Sequence, residues 1–142
     1  MFNPSHLHPM VVHFPIALVM VGFLADTISL FYKKEPCLSK TGSYLLVIGT
    51  LAAAVTWLSG FIFTSEMSGT AGTIRATHEL FASVTVGLLL ITSVLRIIIL
   101  NKNINRPGLN WIVFALYGLA AICVTVTGLY GGTLVYNYMM PL

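Results

Sequence analysis

Four histidines occupy this chain of 142 residues, and all four sit at the mouths of apolar stretches. His6, His8 and His13 lie at the start of the first such stretch, and His78 opens the third. A polar ring inside hydrocarbon is expensive, so an intramembrane histidine is a functional-site hypothesis by default. Two imidazoles brought to one depth from different helices make a ligand pair. Haem b asks for that arrangement: one nitrogen on each face of a flat macrocycle, in an apolar slot. A bare ion is the competing occupant. Zinc and copper sites take three or four ligands, and His6, His8, His13 and His78 reach that number if the N-terminal tail folds over the helix mouth. Met10 and Met67 are the sulfurs nearest to such a site. The bland alternatives are interfacial decoration for His6 and His8, and a buried histidine hydrogen-bonded to a hydroxyl or carbonyl for His13 and His78.

The elements that position these rings follow from composition. The chain is 57% hydrophobic and 8% charged, against about 25% charged in a soluble domain. It reads as an integral membrane protein with nothing left over for a soluble domain. The net charge of +3 is spread over short loops and forms no nucleic-acid patch. Nucleophile–base pairs, phosphate loops and paired carboxylates are not visible, so hydrolytic and phosphoryl-transfer chemistry find no support. Four apolar stretches, at about 10–32, 43–63, 77–99 and 109–136, are long enough to cross roughly 30 Å of hydrocarbon. Their short connections predict an all-α, antiparallel bundle of four transmembrane helices, a single domain over 1–142. No convincing internal repeat is visible, and no cleavable signal precedes the first stretch, which reads as a true span. Cys37 and Cys123, in a loop and in a span, read as structural.

Lys33, Lys34, Lys40, Arg96, Lys102 and Arg106 lie in or beside the first and third connections, and Arg75 alone in the second. The positive-inside rule then places both termini outside, in the periplasm, for a multi-pass protein of the bacterial inner membrane. With that orientation, Pro9 suits the first helical position, leaving His8 just before the helix and His13 about one turn inside it. Pro15 loosens the helix beneath His13. His78 falls in the first turn of the third helix, diagonal to the first, so His13 and His78 are the expected ligands, with His8 or His6 the alternative on the first helix. Arg75 is placed to meet a haem propionate. Gly49, Gly60, Gly87, Gly118 and Gly128 offer close approach. Glu79 reads as interfacial or as a partner of a ligating imidazole, Glu66 and Arg75 as a solvated pair, Asp26 as a structural group meeting lysine or water, and Trp57 as packing. The Gly131-Gly132 pair reads as the end of the last helix, with a turn near the histidines.

The segment His8-Pro9-Met10-Val11-Val12-His13-Phe14-Pro15-Ile16-Ala17-Leu18, with His78-Glu79 and the Gly131-Gly132-Thr133-Leu134-Val135-Tyr136 ending, resembles DUF2231, a family of small bacterial predicted membrane proteins. The resemblance runs over essentially the whole chain and implies a four-helix integral membrane protein, often in respiratory or cytochrome-containing contexts. It assigns no role to His6. The leading expectation is a b-type cytochrome subunit, an electron-transfer component rather than a stand-alone enzyme, within a larger redox complex and exchanging electrons with a quinol or cytochrome c. A protein that binds copper, zinc or iron through the histidine cluster, and a non-catalytic accessory subunit, are the alternatives.

Overall fold

Apolar runs in lipid must satisfy their own backbone groups, which leaves helices or closed barrels. The computed structural model, which describes residues 7–32, 34–64 and 66–139, is helical in every regular element among those residues. The helices are α1 (Leu7–Val11), α2 (His13–Phe31), α3 (Pro36–Phe63), α4 (Gly69–Asn101) and α5 (Pro107–Leu134), followed by a π-helical turn at Val135–Met139. All four expected spans are present, the first as His8–Phe31. Within it, α1 meets α2 at Val12, which keeps helical dihedrals (φ −60°, ψ −28°) and bonds through its N–H to His8 O at 3.2 Å. Pro15 has no N–H for the carbonyl of Val11, so the ladder is interrupted above His13 and not beneath it. His8 is therefore helical, not a residue ahead of the helix. Proline stands at the N-terminus of both α3 and α5, where a missing N–H costs nothing.

Helices α3 and α4 begin well before 43 and 77, because their first turns are polar and extend past the hydrocarbon. His78 is thus several turns into α4 rather than in its first turn. Likewise α5 runs through Gly131-Gly132 instead of ending there.

Contacts are most extensive within the hairpins α2–α3 and α4–α5 and thinner between α3 and α4 and between α2 and α5. The ring order is α2, α3, α4, α5, with α2 and α4 on one diagonal. Only 28–33% of the most apolar window of each span is buried. Interior positions are rich in Gly, Ala, Ser and Thr, while Leu, Ile and Phe turn outward. Lipid is as apolar as leucine, so close backbone approach and hydrogen bonds select the interior. Between the hairpins, Thr50 Oγ1 lies 2.7 Å from Ser93 Oγ, and Trp57 donates its indole N–H to Ser83 Oγ at 3.0 Å.

The burial patterns of the two hairpins run partly in register. Shifted by 70 residues, buried Pro15, Val19 and Gly22 of α2 fall on buried Thr85, Leu89 and Thr92 of α4. Shifted by 71, buried Gly42, Leu46, Gly49, Thr50 and Ala53 of α3 fall on buried Val113, Tyr117, Ala120, Ala121 and Val124 of α5. Both of these second helices have 28 residues and begin with proline.

Candidate functional site

One histidine of the site comes from the first span and one from the third, His8 and His78, 70 residues apart in the chain. Their rings meet across the diagonal, nearly perpendicular, with centroids 6.4 Å apart and planes at 84°. His13 is not the partner of His78: it is exposed, on the wall of the same cavity. A one-turn offset along the first span, together with rotation of the helix, separates His8 from His13. His6 lies outside the described residues.

Each ring is held by the second helix of its own hairpin. His78 Nδ1 lies 3.0 Å from Thr127 O on α5, so it must carry a proton to donate. His8 Nδ1 lies 2.8 Å from Ser59 Oγ on α3. Ser59 gives its hydroxyl proton to Thr56 O at 2.7 Å, so its oxygen accepts from His8, which is then protonated at Nδ1 as well. A neutral ring protonated at Nδ1 carries its lone pair on Nε2. The supports run in the same register: Thr56 and Thr127 are 71 residues apart, as are Gly60 and Gly131. A Cβ at position 60 would sit 3.2 Å from His8 Cε1, and one at position 131 would sit 3.1 Å from His78 Cε1. Glycine at both positions lets each ring lie against its neighbouring backbone.

The two rings border a cavity of about 300 Å³ whose walls are mostly apolar, with Ile16, Ala53, Trp57, Val86, Val124 and Leu134 among them. Thr56 is 7% exposed, lines the cavity, and its hydroxyl has no partner among the described residues. Arg75 reaches the cavity with its side chain 19% exposed and pairs with Glu79 at 2.9 Å rather than with Glu66. Of the glycines expected to allow close approach, Gly60 meets His8 and Gly128 lies by Ile16 on the cavity wall. Gly49 and Gly118 pack elsewhere, and Gly87 faces open space. Trp57 serves both as packing and as cavity wall. Asp26 is buried far from the site and meets Arg96 rather than a lysine.

Chemically, the arrangement brings two imidazole rings to one mostly apolar cavity, with the Arg75–Glu79 pair at its rim. No group of three or more His, Cys, Asp or Glu side chains comes together as a metal site among the described residues. Ser59, Thr127 and Gly131 have no signal in the sequence that sets them apart from packing residues.

A family model described as a predicted membrane protein, DUF2231, matches residues 4–141. No curated protein and no solved structure matches the chain.

Proposed function

We propose that this chain, which belongs to the DUF2231 family of predicted membrane proteins, is a membrane-embedded b-type cytochrome subunit whose axial ligands are His8 and His78. The observation that carries this reading is the ring pair itself. Two imidazoles sharing one metal from opposite sides, through bonds of about 2 Å each, hold their ring centres about 6 Å apart, and His8 and His78 are 6.4 Å apart. The donor set fits haem better than a bare ion. A zinc or copper site wants three or four protein ligands, whereas a porphyrin brings four nitrogens and asks the protein for two. The orphaned Thr56 hydroxyl and the apolar walls fit a buried group that fills the slot.

Within this reading, haem would supply one-electron redox chemistry when bound. Ser59 and Thr127 fix the tautomers of the two ligands and make them more basic, the role usual for partners of a metal-bound histidine. Gly60 and Gly131 admit the rings, Trp57 and the aliphatic walls exclude water, and Arg75 offers its charge to a propionate. Among the described residues, Lys34, Lys40, Lys102 and Arg106 flank the opposite end of the bundle and Arg75 the histidine end, which supports a site near the periplasmic surface of a bacterial inner membrane. There the natural electron partners are a quinol in the outer leaflet or a soluble cytochrome c, within a larger complex. Protein purified in detergent from haem-replete cells tests the reading: a pyridine haemochrome of one haem per chain is expected. Zinc or copper in stoichiometric amount without haem, or neither, would contradict it.

A further inference from the structure

His8 and His78 meet beside a cavity of about 300 Å³, on the first span and the third. Interlocked side chains fix the axial position of one helix on another, and the cavity takes their place at this end of the diagonal. The level of the rings is nevertheless exacting. A slip of one residue moves a side chain about 1.5 Å along its helix and about 100° around it.

The opposite end of the bundle is built differently. Asp26 of α2 pairs with Arg96 of α4 across the same diagonal, with side chains 5% and 14% exposed. The helices lie close around this pair. A Cβ at Gly42 of α3 would come within 3.1 Å of Asp26 Cβ. Tyr117 of α5, fully buried, lays its hydroxyl against Gly22, one turn before Asp26 on α2. Asp26 follows His8 by 18 residues, and Arg96 follows His78 by 18 residues. That spacing is about five turns of helix, or about 27 Å. The first and third spans run in the same direction, so each carries its charge and its ring on one stripe at matching separation. We infer that the Asp26–Arg96 pair pins the axial register of the first span against the third and so holds His8 level with His78. Asp26 and Arg96 are positioning residues, since neither lines the cavity. The inference rests on the meeting of the two rings and not on which group the cavity takes.

Stability is the poorer account of this pair. Charges within a membrane interior are costly, and a buried ion pair is weak evidence for stability, its best-attested use being to fix register. Arg96 Nε and Tyr117 Oη have no partner among the described residues, so the cluster leaves polar atoms unsatisfied. Apolar side chains in the same places would fill the space, but apolar contact is non-directional and leaves the helices free to slide. An Asp–Arg pair has one best level.

The test reads register and stability separately, in the full-length chain with Cys37→Ser and Cys123→Ala. Spin labels go on Met10→Cys and Leu80→Cys, at exposed positions two residues beyond His8 and His78. Their separation is measured by pulsed EPR in detergent, on protein from haem-deficient cells. The otherwise unaltered chain should give one narrow distance. Asp26→Leu with Arg96→Met should keep the unfolding midpoint at or above the parental one, while the distance distribution widens at least twofold. Exchanging the charges, by Asp26→Arg with Arg96→Asp, should bring the narrow distribution back. An apolar pair of parental width, an apolar pair that fails to fold, or an exchanged pair as wide as the apolar one would each overturn the inference. With no haem present, these distances stand apart from the haem reading, which the visible spectrum decides.

Discussion

At the scale of single residues, the site depends on where two protons sit. Thr127 O and the Ser59 hydroxyl hold the Nδ1 protons of His78 and His8, leaving Nε2 of each free to ligate. Removing the Ser59 hydroxyl by Ser59→Ala frees the His8 ring, and haem retention against a competing apo-globin should weaken by about 10–100-fold, the usual cost of losing such a partner. The 84° angle between the rings makes a second prediction. Perpendicular ligand planes leave two iron d orbitals nearly degenerate, so the oxidised protein should give a strongly anisotropic low-spin EPR signal with one dominant low-field feature. A rhombic signal with three well-resolved features would mean near-parallel rings. That His78 and Arg75 border one cavity was readable from residue type and depth. That His8 rather than His13 lies against His78 was not, because it turns on a helix that starts before Pro9 and on an irregularity at Val12.

At the scale of elements, the sequence gives away the spans but hides their rotation. A soluble helix shows its buried face by polarity, whereas here both faces are apolar and the interior is marked mainly by small and hydroxyl side chains. Gly60 therefore looks no different from Gly87, although one lies against His8 and the other against nothing. Gly131→Val should push the His78 ring off its place and abolish haem binding, while Gly87→Val should leave the absorbance spectrum unchanged. Equal spectra in both variants would contradict the assignment of the α5 glycine to the site. The hydroxyl pair between α3 and α4 is worth little by comparison. Ser93→Ala should lower stability by roughly 0.6 kcal/mol, the mean for interhelical hydrogen bonds in membranes, as read from unfolding in mixed micelles. Leu, Ile, Val and Ala interchange freely on lipid-facing positions, so the two hairpins share burial and a few marked residues rather than long identities.

At the scale of the whole molecule, two hairpins meet through a thin interface, and the proposed ligands come one from each. A group bound by both His8 and His78 ties the hairpins together, so loading should stabilise the fold in addition to filling it. For a ligand at a hundredfold its dissociation constant the linkage is worth about 2.7 kcal/mol, and the thermal midpoint of loaded protein should lie several degrees above that of stripped protein. Composition sufficed for the membrane class, since no soluble core is built from 8% charged residues, and the four apolar stretches sufficed for the four-helix architecture. The measurement that bears most directly on the central claim is a reduced-minus-oxidised visible spectrum of the parent, His8→Ala, His78→Ala and His13→Ala, purified side by side. Sharp α and β bands in the parent and in His13→Ala, lost in His8→Ala and in His78→Ala with helical content unchanged, are the predicted result. A flat parent spectrum, or bands that survive in His8→Ala and vanish in His13→Ala, would contradict it.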